Sequence, residues 1–319
     1  MKRIYTLTLN PALDKSTTVQ RVLHERKLRC EKPKFEPGGG GINVSRAIKK
    51  LGGSSIAVFP VGGPMGVFMQ ELLTREDIEQ ITVPTKNWTR ENFTVVETET
   101  NRQYRFGMPG PALFENEWKA CLKIIAQAKN DIEYLVVSGS APAGVPVDFY
   151  ARIACEAAKH DIKFILDTSG DPLKAAVEEG VYLLKPNINE LSQLVGRKLE
   201  EIHEQEDAAM EVINKGKVNV LIVSLGAAGA MLASKEGLIH VSAPSVKSKS
   251  TVGAGDSMLA GIIFTLTKGK SFIDALQYGV ASGTAATMNP GTELCKLKDV
   301  ENLNRWIVKN SIKPSDNKY

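Results

Sequence analysis

The chain reads as an α/β protein whose core is a mostly parallel sheet with helices on both faces. Two observations carry that expectation: short apolar, β-branched runs recur along most of the length, and stretches with a helical spacing of apolar residues separate them. Strands covered on both sides show continuous apolar runs, whereas half-exposed strands alternate. A third observation sets one region apart. Residues 15–37 and 92–106 interleave polar with β-branched and aromatic residues and show no helical period.

The elements follow in order. IYTLTL at 4–9 is the first strand, and SIAVF at 55–59, YLVVSG at 134–139, FILD at 164–167, VYLLK at 181–185 and NVLIVSLG at 219–226 supply further core strands. Between them lie helices such as NVSRAIKKLGG, which stops at a glycine pair, and NEWKACLKIIAQAK. Residues 92–106 fold as a hairpin around Thr100-Asn101-Arg102, a connection too short to cross over a parallel sheet. Together with residues 15–37 they are expected to form a small separate sheet over one end of the body, acting as a lid. LAGIIFTLTKG and FIDALQYGVASGTAATMN are helices packed on the body near the end of the chain. No repeat, low-complexity tract or long linker divides the 319 residues, so one domain spanning 1–319 is expected, with lid strands within about 15–37 and 88–107.

Composition narrows the function classes. Forty basic and thirty-six acidic side chains give a net charge of +4, spread along the chain without a basic block, which argues against a nucleic-acid partner. Cys30, Cys121, Cys155 and Cys295 lie far apart with no CxxC, a pattern that fits reduced thiols better than a zinc site or a disulfide framework. The start, MKRIYTLTLNPALD, lacks the apolar core of a signal peptide, and the apolar stretch from Met258 to Leu266 is too short to span a bilayer. A soluble cytoplasmic protein with no membrane partner is expected.

Several phosphate-binding motifs are absent. Phe264 stands where a P-loop ending in Gly269-Lys270-Ser271 needs its first glycine, and neither GGGGIN nor VGAGDSM is a GxGxxG fingerprint. HExxH and GxSxG are missing too. What remains are glycines and polar residues placed after strands. Four glycines, 38 to 41, precede a helix at considerable cost in backbone entropy, which points to close approach of a ligand. Asn43, at that helix entry, can donate to and accept from a sugar hydroxyl. Asp14 in NPALD lies past the first strand, at the carboxyl edge where such sheets bind ligands; it is either an acceptor for two hydroxyls or a turn residue. Glu190 in LLKPNINEL is either a first-turn carboxylate or a group that orients magnesium through water. In TVGAGDSMLAGI, Gly253 and Gly255 let amides close on an anion at a helix start, and Asp256 is either an N-cap or a chemical group.

NPALD, PGGGGINV, WTREN, SGSAPAGV, LKPNINEL, VSLGAAGA and STVGAGDSMLAGI, seven motifs in order, resemble the PfkB branch of the ribokinase-like carbohydrate kinases from the first strand to the last helices. KLRCEKPKFEPGGGGINVSRAI and QYRFGMPG narrow the likeness to the bacterial PfkB-type 6-phosphofructokinases. The resemblance implies a ribokinase-like α/β/α body of three layers and a role for Asp256 as the base that takes the proton of the attacking sugar hydroxyl. It implies an anion hole made by the amides of Ala254, Gly255 and Asp256, which suits phosphoryl transfer, a reaction of positioning and charge stabilisation. On the sugar side it implies Asp14, Gly39, Gly40 and Asn43, with Lys27, Arg90, Arg105 and Ser140 around the existing phosphate. On the ATP side it implies Lys185, Asn187, Ser224, Gly226, Gly229 and Ser248, with Glu190 near Mg2+. A monovalent cation, K+, is implied beside the anion hole at Ser250, Val252, Ala286, Asn289 and Gly291, and the lid strands imply a homodimer.

Two departures bear on the acceptor. Sister kinases acting on fructose 1-phosphate or tagatose 6-phosphate usually carry lysine within the glycine run, where this chain has Gly40. SGSAPAGV has Ala141 and Ala143 where relatives commonly have leucine and proline, beside Ser140. The expected reaction is transfer of the γ-phosphate of Mg-ATP to C1 of fructose 6-phosphate. The alternatives are the two sister acceptors or a catalytically silent sugar-phosphate sensor.

Overall fold

The computed structural model describes residues 3–310. In chain order the strands and helices are β1 (Arg3–Leu7), β2 (Ala12–Val19), β3 (Lys34–Gly38), α1 (Gly40–Lys50), β4 (Ile56–Val61), α2 (Gly63–Arg75), β5 (Glu79–Pro84), β6 (Arg90–Glu97), β7 (Gln103–Phe106) and α3 (Glu115–Ala128). They continue as β8 (Ile132–Ser138), α4 (Phe149–Lys159), β9 (Lys163–Asp167), α5 (Gly170–Glu179), β10 (Val181–Leu184), α6 (Ile188–Val195), α7 (Ile202–Asn214) and β11 (Val218–Ser224). The last are β12 (Ala230–Ser234), β13 (Gly237–Val241), α8 (Ala254–Leu266), α9 (Phe272–Thr287) and α10 (Leu297–Asn310).

Nine strands form one sheet in the order β13-β12-β11-β10-β9-β8-β1-β4-β5. Seven are parallel, and the β12–β13 hairpin runs antiparallel at one edge. The strand period of two divides the core between the faces. In β8, Leu135 and Val137 point to the layer of α3 to α7, while Tyr134 and Val136 point to that of α1 and α8 to α10. Ala57 and Phe59 of β4 join Met69 and Leu73 of α2 in a third cluster with Leu13 and Ile42. The expected three-layer α/β body with a mostly parallel sheet is the observed one.

The second sheet has the order β3-β2-β6-β7. The 92–106 hairpin is present as β6 and β7, turning at Asn101 with φ 55°. Its partner β2 lies parallel to β6 and antiparallel to β3. Two details differ from the sequence reading. Residues 20–33 contain no strand, so only the ends of the 15–37 segment pair. Asp14 does not sit in a turn: β2 already begins at Ala12, and Asp14 is opposite Glu36 of β3 and Asn92 of β6. The β-branched run from Thr17 to Val19 masked that earlier start. Leu13 faces the core at the sheet's root and makes the strand continuous with the body.

Candidate active site

The parallel strands β1, β8, β9, β10 and β11 all end on one side, and the site residues stand on or just beyond those ends. α8 begins above them. Its N-cap is Gly253 in the left-handed region at φ 73°, and Asp256 lies in its first turn. The N-cap reading of Asp256 is therefore corrected: the chain turns at glycine, and the Asp256 side chain is left for other partners. A side chain at Gly253 would strain the turn and meet Leu294 Cδ2 at 2.7 Å.

Asp256 accepts a hydrogen bond from Asn43 Nδ2 at 2.9 Å. Protein surrounds the carboxylate except for a small accessible patch, and burial, then the nearby Asp167, raises its pKa from 3.8 to about 6 against the opposing pull of Asn43 and Lys185. Lys185 is buried, 3.1 Å from Asp167 Oδ2. Burial disfavours its ammonium, but Asp167, Asp256 and Glu190 together outweigh that and hold it charged. A Cβ at Gly255 would lie 3.6 Å from Lys185 Nζ, so the ammonium sits beneath the free amides of α8. Two N-terminal amides and one buried cation thus converge next to a carboxylate that gives up its proton near neutrality. That combination suits a transferring anionic group attacked by a hydroxyl.

On one side of Asp256 lies a polar recess. Asp14 accepts from Asn92 Nδ2 at 2.8 Å, and burial raises its pKa despite that bond and Arg90 nearby. Arg90 donates to the carbonyls of Met108 at 2.9 Å and Asn10 at 3.1 Å, while its Nε is buried without a partner among the described residues. Burial lowers its pKa, a sign of an arginine drawn out of water. Asn10 Nδ2 donates to Ser140 Oγ at 3.1 Å. Gly39, at φ 115°, and Gly40 let α1 start against this recess. A Cβ at Gly40 would stand 2.2 Å from Ser138 Oγ and 2.9 Å from the Gly139 nitrogen, so the close approach demands glycine. Lys27 and Arg105 are not brought here. Both are exposed, Lys27 between β2 and β3 and Arg105 in β7, and neither side chain makes a hydrogen bond or ion pair among the described residues.

On the other side is a cleft of about 460 Å³ lined by Ser224, Gly226, Gly229, Ser248, Ala254 and Gly255 together with apolar Met258 and Val280. Asn187 pairs with Ser224 as an isolated parallel bridge, which joins the α6 entry to the end of β11. Asn187 also caps α6. Its Oδ1 accepts from the Glu190 nitrogen at 2.9 Å, and Glu190 Oε2 accepts from the Asn187 nitrogen at 2.8 Å. The first-turn reading of Glu190 is thus structurally real, yet its pKa is raised by burial and by Asp167, so the carboxylate still faces the charged group.

Beside the start of α8, Ser250 Oγ donates to the Gly291 carbonyl at 2.6 Å and accepts from the Val252 nitrogen at 3.2 Å. Ala286 and Asn289 follow at the end of α9, where the Asn289 nitrogen bonds the Ala286 carbonyl at 3.1 Å. All five cation candidates therefore gather in two stitched segments. Sequence reasoning missed Asp167, Asn10 and Asn92. Asp167 closes FILD at a strand's carboxyl end and Asn10 in NPALD follows β1, so position after a strand was the available signal for these two, whereas Asn92 of WTREN lies within β6 and only its place opposite Asp14 marks it.

The arrangement has counterparts. The model of the pfkB family of carbohydrate kinases matches residues 8–299. ATP-dependent 6-phosphofructokinase isozyme 2 of Escherichia coli strain K12 is 44% identical over 308 residues, covering 96% of this chain and 99% of that one. The crystal structure of Escherichia coli phosphofructokinase-2 with potassium superposes with a TM-score of 0.92 at 44% identity, covering 97% of this chain and 100% of that chain. Its complex with fructose-6-phosphate gives a TM-score of 0.90 at 43% identity over 97% of this chain and 100% of that one. With a family match and a relative of this likeness both spanning nearly the whole length, the chain belongs to the pfkB family of carbohydrate kinases.

Proposed function

We propose that this chain is an ATP-dependent 6-phosphofructokinase. The observation that carries the reading is the convergence of Asp256, the α8 amides and Lys185 between the Asp14–Arg90 recess and the Ser224–Gly229 cleft. The 44% identity to a 6-phosphofructokinase supports fructose 6-phosphate over the sister acceptors. The retained carboxylate and anion-binding helix start favour turnover over a silent sensor.

Asp14 and Asn43 orient the sugar hydroxyls, and Gly39 and Gly40 let the ring approach α1. Arg90, with Ser140 and Asn10 beside it, receives the 6-phosphate in a planar, charge-assisted fork. Lys27 and Arg105 join that phosphate when the small sheet closes as a lid over the body, a closure that excludes water. Asp256 takes the proton of the C1 hydroxyl as O1 attacks the γ-phosphorus in line. The bond from that phosphorus to the bridging oxygen of ADP breaks, and the amides of Gly255 and Asp256 with Lys185 hold the charge that develops, the expected third amide, Ala254, being turned to the Thr251 carbonyl at 3.4 Å.

Asn187, Ser224, Gly226, Gly229 and Ser248 hold the nucleotide. Glu190 and Asp167, whose carboxylates face Lys185, would hold a Mg2+ brought with ATP, and bound there it would supply neutralisation of the phosphate charge. Near Ser250, Val252, Ala286, Asn289 and Gly291 the available donors are mainly neutral carbonyls, a set that suits K+. Bound there, a monovalent cation would add positive field beside the anion hole. Exposed Leu23, Phe106 and Met108 on the small sheet and its flanking segments suit a homodimer formed through that sheet. Among the described residues no helix is long and apolar enough to cross a membrane, and dispersed charge with four unpaired cysteines fits a cytoplasmic enzyme of sugar breakdown.

The test is a comparison of kcat/KM with Mg-ATP for fructose 6-phosphate, fructose 1-phosphate, tagatose 6-phosphate and fructose. A clear lead for fructose 6-phosphate with fructose 1,6-bisphosphate as product is expected. A lead for another acceptor overturns the substrate, and binding without turnover overturns the reaction.

A further inference from the structure

We propose that Thr292 is a positioning residue: the strap 291–295 sets the spacing between the acceptor strand and the base, and Thr292 is its anchor on the acceptor side. The inference rests on the functional reading above. Buried Thr292 Oγ1 donates to Glu36 Oε2 at 2.6 Å, and Glu36 is the cross-strand partner of Asp14 in the β2–β3 ladder. At its other end the strap is bound to the catalytic helix. The Cys295 nitrogen donates to Oγ of Ser257, the residue next to Asp256, at 3.3 Å, and Leu294 fills the space over the Gly253 turn. In five residues the chain thus links β3, the strand paired with that of Asp14, to the helix that carries Asp256.

The anchor is well defined. Glu36 also faces Lys34 at 3.4 Å and Arg46 at 3.6 Å, and Arg46 donates to the Pro37 carbonyl at 2.8 Å and grips Glu76 through both Nε and Nη2. Glu36 is therefore held in place without Thr292, which touches neither substrate recess. Removing the hydroxyl cuts the buried tie between strap and small sheet, leaving the more exposed Lys34–Glu293 pair at 2.9 Å as the side-chain link and Glu36 a buried, still paired carboxylate. The spacing between Asp14 and Asp256 then loosens, and loss of alignment falls on the acceptor, whose hydroxyl must reach the base. The nucleotide cleft shares Ala254, Gly255 and Met258 of α8 but draws its other walls from the end of β11, residues 243–248 and α9, to which the Thr292 hydroxyl is not bonded.

The experiment compares the wild type, Thr292→Val and Thr292→Ser in full steady-state kinetics, with calorimetric titration of fructose 6-phosphate and thermal unfolding beside them. Thr292→Val is expected to raise KM and the dissociation constant for fructose 6-phosphate about tenfold and to lower kcat about threefold, with KM for Mg-ATP within about twofold of wild type. Thr292→Ser, which keeps the hydroxyl, is expected to restore both. Kinetics unchanged by Thr292→Val, a lowered melting temperature being its sole effect, overturns the proposal, as does an equal rise in both KM values. No turnover of fructose 6-phosphate by the wild type sinks the functional reading, and this inference with it. Wild-type turnover with unaltered Thr292→Val kinetics sinks the inference alone.

Discussion

At Asp256 a carboxylate is held where water reaches little of it and a second carboxylate, Asp167, faces it, so its proton is lost only at about pH 6. A base must be ionised before the encounter, so kcat/KM is expected to fall about tenfold per pH unit below about 6 and to be level above it. A profile level down to pH 5 contradicts the assignment. The same shift has a cost in stability. The folded-state pKa lies above the unfolded one, so the penalty is absent below 3.8, grows as pH rises through the interval, and is complete above about 6. Asp256→Asn removes an ionised group that costs roughly 2–3 kcal/mol, and is expected to melt a few degrees above wild type at pH 8 and level with it near pH 4. Thermal unfolding at the two pH values checks this; a gain that persists unchanged at pH 4 contradicts it. Such an exchange of stability for activity is what a poised site entails.

Elements carry the next constraint, because residues in the site belong to strands and helices that approach unusually closely. Gly40 opens α1 against the end of β8, and the Cβ of alanine there would fall within 2.9 Å of both backbone and side chain of that strand end. Gly40→Ala is expected to lower stability by about 2 kcal/mol and to weaken acceptor binding, since α1 must retreat with Asn43 on it. Unfolding by denaturant and the acceptor KM check this, and a neutral substitution at Gly40 contradicts it. Much of this geometry was legible in the sequence, for identifiable reasons. Doubly buried strands such as YLVVSG and NVLIVSLG are continuous apolar runs, so the parallel core announced itself. EQITVP, which became edge strand β5, is half polar and short, and AMLAS and GLIHV of β12 and β13 follow a glycine turn that hides them. The site was readable where a motif packs chemistry into consecutive residues, as in TVGAGDSM. It was not readable where chemistry depends on partners far apart in the chain. Asp167 matters because it lies beside Lys185 and Asp256, and Glu36 because β3 places it opposite Asp14 and beneath Thr292. No local spacing encodes those meetings.

For the whole molecule, two sheets of different sizes divide the work. The nine-stranded body holds the proposed base, anion hole and nucleotide cleft, and the four-stranded sheet holds Asp14, Arg90 and Arg105. Phe106 is half exposed at the end of β7, stacked on Phe93 with ring centroids 6.2 Å apart, an apolar edge that a second copy would cover. Phe106→Glu is expected to shift the chain toward monomer in light scattering and to raise the acceptor KM about tenfold, while the fold persists. A monodisperse dimer with unaltered KM contradicts the assignment of that sheet to the interface. The most direct measurement is kcat of Asp256→Asn against wild type at pH 8 with saturating Mg-ATP and fructose 6-phosphate. Loss of the base is expected to lower kcat about a thousandfold with both KM values within about threefold and the fold intact. Turnover within about tenfold of wild type would mean that another group accepts the proton, and the mechanism built on Asp256 would not stand.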